Sequence, residues 1–155
     1  MIKEFSLTVL YTQVLVHLST HPSPGLLWSD EHVAQGFAWS TGIVGFGMPD
    51  HDGECLIRVM QTKDAVISDA TLWAVQVPFE VSALLEIGTA VDFTHRVEVP
   101  FGTYALVFEA LPGGDEHAYT VNLRFVATDT PEFAILKRGD ALETDEVLIR
   151  NADLA

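Results

Sequence analysis

Apolar and polar positions alternate with a period of two along most of this chain. Phe5, Leu7, Val9 and Tyr11 stand against Ser6 and Thr8, the pattern of a half-buried strand. Beyond Thr12 the apolar set moves to Val14, Val16 and Leu18, on the opposite parity. A switch without Gly or Pro predicts a β-bulge, or a strand that passes from one sheet to another. Cys55, Ile57 and Val59 share one face, with Leu56, Arg58 and Met60 on the other; Trp73, Val75, Val77 and Phe79 make the next inward set. The longest alternation places Val91, Phe93, Val97, Val99 and Phe101 inward, with His95 on the same parity. A short connection through Gly102 leads to Tyr104, Leu106, Phe108 and Ala110, and predicts a hairpin. Tyr119, Val121, Leu123 and Phe125 follow, with weaker strands expected at 133–136 and 147–149. Residues 81–87 fit a strand or a turn of helix.

One stretch breaks the rhythm. In Trp28-Ser29-Asp30-Glu31-His32-Val33-Ala34-Gln35-Gly36, Ser29 is placed as an N-cap and two acids fall in the first turn, where the helix dipole favours them. Gly36 is a natural stop. A short helix near residues 30–36 is therefore expected, pinned by Trp28 and Trp39 and followed by a strand over Ile43-Val44-Gly45-Phe46. The prolines of His21-Pro22-Ser23-Pro24-Gly25 cannot sit in a central strand, and Met48-Pro49-Asp50-His51-Asp52-Gly53 and Pro112-Gly113-Gly114-Asp115-Glu116 read as turns. Many short strands between turns, with one helix, predict an all-β fold: an antiparallel β-sandwich, jelly-roll-like. Val75-Gln76-Val77-Pro78-Phe79 and Val97-Glu98-Val99-Pro100-Phe101 share a V-x-V-P-F pattern, which suggests equivalent strands.

Composition narrows the function more than the fold. The 155 residues are 48% hydrophobic, enough for one domain with a sound core. The net charge is -14, from 22 acids against 8 Lys and Arg. It is spread over both halves rather than confined to a tail. Direct binding to nucleic acid is not expected, because phosphate contacts need clustered cations; a basic partner is favoured. The start, Met1-Ile2-Lys3-Glu4, lacks a signal-peptide pattern, and no apolar run is long enough to span a membrane. A soluble, cytoplasmic protein with no membrane partner is the expectation.

The candidate chemistry is sparse. The six histidines show no metal-ligand spacing, and His51-Asp52-Gly53-Glu54-Cys55 reads as an acidic turn entering a strand rather than as a metal site. The single cysteine, Cys55, lies on the inward parity of its strand and reads as a buried inert thiol. No nucleophile elbow, dinucleotide fingerprint or P-loop occurs. No catalytic set, metal or cofactor is expected. Trp28, Trp39 and Trp73 read as core, although on a lectin-like sandwich they would stack sugars, so a small-ligand or carbohydrate-binding module is the alternative.

Trp28-Ser29-Asp30-Glu31, followed by Gly36-Phe37 and Gly42-Ile43-Val44-Gly45-Phe46, resembles the competence protein J (ComJ) family. Met1-Ile2-Lys3, Val77-Pro78-Phe79 and Gly102-x-Tyr104 also fit that pattern, and the likeness spans roughly residues 1–126. Residues 127–155 have no counterpart and read as a C-terminal extension. The resemblance implies a non-catalytic inhibitor of a DNA-entry nuclease. Two modes of action fit the physics: a carboxylate-rich surface that takes the place of phosphates in a cationic active site, or a steric block from beside it. Strands are occupied by the core, so acids in turns and at the helix start are the candidates for partner binding: Asp30, Glu31, Asp50, Asp52, Glu54, Asp115 and Glu116.

Overall fold

The computed structural model describes residues 2–9, 13–22, 25–48, 53–89, 95–114 and 116–155. Two sheets hold the chain. Strands β1 (Lys3–Val9), β5 (Gly53–Thr62), β6 (Trp73–Val81), β9 (Gly102–Pro112), β10 (Tyr119–Ala127) and β11 (Ala134–Lys137) form one, in the order β1-β5-β10-β9-β6-β11. Strands β2 (Gln13–Leu18), β3 (Phe37–Ser40), β4 (Ile43–Gly47), β7 (Leu85–Gly88) and β8 (His95–Val97) form the other, in the order β3-β4-β2-β7-β8. The arrangement is the expected sandwich, with one departure: β5 and β10 run parallel, Tyr119 opposite Cys55 and Leu123 opposite Val59. They are far apart in sequence, so no tight turn forces them antiparallel.

The parity switch after β1 marks a crossing, since β1 and β2 lie in different sheets. The inward sets then meet across the sandwich. Leu7, Ile57, Val77, Phe108, Leu123 and Phe125 from one sheet and Val14, Val16, Phe37, Phe46 and Ile87 from the other are fully buried. Phe46 stacks on Phe108 with centroids 4.7 Å apart. The Trp39 indole N–H donates to the Pro78 carbonyl at 2.7 Å, tying β3 to β6.

The helix α1 (Asp30–Gln35) ends at Gly36, whose φ of 85° is the left-handed conformation of a C-cap. Ser29 caps its start with a variant capping box. The Ser29 hydroxyl accepts from the His32 N–H, and His32 Nδ1 accepts from the Ser29 N–H at 2.9 Å; histidine stands where Glu or Gln is usual.

Several expectations are corrected. The chain after Gly36 enters a strand, β3, paired with β4 from Phe37 opposite Phe46 to Ser40 opposite Ile43. The ambiguous 81–87 stretch contains the start of β7. The hairpin expected across Gly102 does not form: β8 pairs with β7, whereas β9 pairs with β6 and β10. The intervening chain crosses between the sheets, and Phe101, expected inward, is 72% exposed. Val91 and Phe93 lie outside the described residues; Val97 and Val99 are buried as expected. The two V-x-V-P-F segments are not equivalent, because one lies wholly within β6 and the other leaves β8 after Val97. The strand expected at residues 147–149 does not form.

Candidate interaction surface

Register at one end of the six-stranded sheet decides where the turn acids go. On the outward face of β1 and β5, Glu4 opposes Arg58 and Thr8 opposes Glu54. The Arg58 Nε donates to Glu4 at 3.1 Å, and the Thr8 hydroxyl donates to Glu54 Oε1 at 2.6 Å. Glu54 is exposed, yet held by its cross-strand partner. The parallel pairing then brings the β9–β10 connection alongside: the Ala118 N–H donates to the Glu54 carbonyl at 3.0 Å, and His117 Nε2 lies 2.8 Å from the Ser6 hydroxyl. Glu116, also exposed, is thereby carried to the same end as Glu54. Two candidate acids distant in sequence share one edge of the molecule. Asp50, Asp52 and Asp115 lie outside the described residues.

Asp30 and Glu31 belong to a different neighbourhood. Both are exposed in the first turn of α1, where they oppose the helix dipole. Glu31 lines a hollow of about 290 Å³ with Trp28, His32, Ile149 and Asp153. Its far wall is the C-terminal segment, which runs back along α1 and the free edge of β3. The buried Gln35 amide donates to the Ile149 carbonyl at 2.7 Å and to the Phe37 carbonyl at 3.0 Å, and accepts from the Leu148 and Ile149 N–H groups. His32 Nε2 lies 3.0 Å from the Asn151 carbonyl, and the Ala152 N–H donates to the Trp39 carbonyl at 2.8 Å. Leu142, buried, packs against Gly36. This strap covers an edge that would otherwise present open backbone groups.

Two further features were not anticipated. Glu109, 1% exposed on β9, accepts from Thr71 at 2.6 Å, Asn122 at 3.0 Å and Arg124 at 3.2 Å. Burial pushes its carboxyl up, but these hydrogen bonds and the Arg124 charge outweigh that and hold it below the usual value. A single acid inside the run Tyr104-Ala105-Leu106-Val107-Phe108-Glu109-Ala110-Leu111 was its signal. The second is a hollow of about 480 Å³ between residues 69–73 and 137–141, with Tyr119 in its wall. Cys55, as expected, is fully buried, and burial is the main cause pushing its thiol up to about 11.

The described residues make a two-sheet β-sandwich with one short helix, exposed acids at one end of the larger sheet and a buried thiol. The competence protein J (ComJ) family model matches residues 6–126, and the chain belongs to that family. Its fold is similar to that of a solved structure, the crystal structure of ComJ, inhibitor of the DNA degrading activity of NucA, from Bacillus subtilis. That match has a TM-score of 0.71 and 24% identity, over 83% of this chain and 99% of the other. No curated protein matches the chain. The strap, residues 127–155, follows the end of the family match.

Proposed function

We propose that this protein is a non-catalytic inhibitor of a DNA-degrading nuclease. It engages the nuclease through carboxylates at the end of the six-stranded sheet where Glu54 and Glu116 meet. The observation that carries the reading is membership of the competence protein J family over residues 6–126, in which the Bacillus subtilis protein is described as an inhibitor of the DNA degrading activity of NucA. Charge supports it. A nuclease holds phosphates with cations or divalent metal, and a protein of net charge -14 is steered toward such a site by long-range attraction. Carboxylates presented there stand in for phosphate oxygens. Asp50, Asp52 and Asp115 extend the same acidic turns in sequence, and Asp30 and Glu31 are a second acidic group on α1. The working compartment is the cytoplasm.

The test is a titration against the nuclease encoded beside this gene or in its host, following DNA degradation at low and high salt. A sharp end point near one-to-one, relaxed by salt, supports the reading. Glu54→Lys with Glu116→Lys is expected to weaken inhibition at least about tenfold, a loss of about 1.4 kcal/mol, while leaving the fold intact. If that pair inhibits like the parent, this end of the sheet is not the interface; if the parent inhibits no candidate nuclease at large excess, the inhibitor reading falls.

A further inference from the structure

The hollow of about 480 Å³ beside β6 and β10 is built from two segments that the sequence keeps far apart. Asp69, Ala70, Thr71, Leu72 and Trp73 form one wall, and Lys137, Gly139, Asp140 and Ala141 the other. The walls are locked together. Gly139 has a φ of 59°, and a Cβ there would lie 1.9 Å from the Leu72 carbonyl oxygen, so only glycine lets the strap approach so closely. Lys137 Nζ donates to the Asp69 carbonyl at 3.3 Å, which ties its charge to the rim.

The chemistry of the lining selects its occupant. Trp73 is 2% exposed, and its indole N–H is buried without a hydrogen-bond partner among the described residues. A buried donor left unmatched favours any ligand that brings an acceptor within reach. The Tyr119 ring meets Trp73 edge to face, with centroids 5.6 Å apart. Asp69 and Asp140 are exposed at the mouth, and neither carboxylate enters an ion pair among the described residues. Two carboxylates against one ammonium, Lys137, leave the lining net negative beside the Trp73–Tyr119 pair, which fits a planar cation on a short apolar stem with a peptide carbonyl to meet the indole N–H. The volume is ample for one side chain and the backbone that carries it, and falls in the range of small-ligand pockets. Tyr119 also begins the strand that carries the Glu116 turn to Glu54, so the hollow and the acidic group lie at the same end of the sheet.

We propose that this hollow is an anchor pocket for an arginine side chain presented by the protein partner. The identity of that partner as a nuclease rests on the function proposed above; the pocket and its preference for a cation do not. One wall lies beyond residues 6–126, the part matched by the family. The pocket is therefore completed by residues outside the part of the chain that the family model covers.

The test uses the full chain and no nuclease. N-acetyl-arginine methylamide is titrated in while the Trp73 indole N–H resonance, assigned with Trp73→Phe, is followed by NMR. The isosteric neutral control is N-acetyl-citrulline methylamide, and N-acetyl-glutamate methylamide is the anionic one. The expected result is a saturable shift with the arginine compound, at least about tenfold weaker with citrulline, and abolished in Asp69→Asn with Asp140→Asn. Asp129→Asn, on the connection after β10, is expected to leave it unchanged. No saturable shift overturns the pocket, and equal or tighter binding of citrulline or the glutamate compound overturns its charge preference. The citrulline comparison on the parent protein decides the matter even if the double variant fails to fold. A negative result here leaves the nuclease titration standing, and a negative titration leaves a cation pocket on a protein of another function.

Discussion

Gln35 grips both ends of one residue, Ile149: its Nε2 donates to the Ile149 carbonyl at 2.7 Å and its Oε1 accepts from the Ile149 N–H at 3.1 Å. The side-chain amide acts as a strand partner for a segment 114 residues away. Gln35 is fully buried, and its bond to the Phe37 carbonyl is made out of water.

Gln35→Ala is therefore expected to cost about 2–4 kcal/mol, because the buried Phe37 carbonyl and the part-buried Leu148 and Ile149 backbone groups lose partners together. The loss is local before it is global. Hydrogen exchange should accelerate at Leu148, Ile149 and Ala152, while amides of β9 and β10 keep their protection. Uniform acceleration across all of these amides would show that the strap is no separable unit.

His32 is held in one tautomer by its two neighbours. The Ser29 N–H points at Nδ1, 2.9 Å away, which must therefore be the bare acceptor. The proton sits on Nε2 and is donated to the Asn151 carbonyl at 3.0 Å. Nitrogen-resolved NMR at neutral pH should report the Nε2–H form. His32→Phe keeps the Ser29 cap on the backbone N–H and is expected to lower stability by about 1–2 kcal/mol through loss of the reciprocal Ser29 N–H bond and the strap contact together. A dominant Nδ1–H signal would overturn this account of the helix start.

What could be read from the sequence follows from the range of the forces involved. The Ser29 cap, the Gly36 stop and the inward parities of β1, β5, β6 and β10 are local, and each appears in the fold as its residues dictate. Pairing is not local. Nothing around Pro100 says that β8 joins β7 rather than β9, and Phe101 went astray with that choice. The parallel register of β5 and β10, which brings Glu116 to Glu54, was equally hidden, although both acids stood out as turn residues. The strap was legible only as a leftover. Its grip depends on Gln35, an unremarkable helix residue until its partners are known. The hollow beside Trp73 has no sequence signature, since its walls meet only in three dimensions.

Cys55 tests the sealing of the core. Its thiol is pushed up to about 11 by burial, which outweighs the lowering hydrogen bond from the Tyr119 backbone; the neighbouring Glu54 charge adds a smaller push in the same direction as burial. The protonated thiol is thus the form the fold prefers. That preference contributes fully below the ordinary value of 9.0 and is lost as pH rises from there through about 11. At pH 8, iodoacetamide should leave Cys55 unmodified in the folded protein and label it readily in denaturant. Rapid labelling of the native protein would mean that the β1–β5–β10 end opens, and would revise the surface proposed for the partner.

Glu109 makes the opposite prediction about pH. Its folded carboxyl is held below the ordinary 4.5: burial opposes ionisation, but the hydrogen bonds from Thr71 and Asn122 and the charge of Arg124 prevail. The ionised form is the one the fold favours, so its contribution is complete above about 4.5 and disappears as pH falls through the lower folded value. Glu109→Gln keeps much of the shape but strands Arg124 beside a neutral amide. It is expected to cost about 1–3 kcal/mol at pH 7. In paired urea denaturations the gap between parent and variant should stay constant from pH 7 to about 5 and close on further acidification. A gap that persists unchanged into strong acid would mean that Glu109 acts through packing rather than charge. Thr71 would then be held against the sheet by shape alone, and the wall of the hollow that begins at Asp69 would owe nothing to the buried carboxylate.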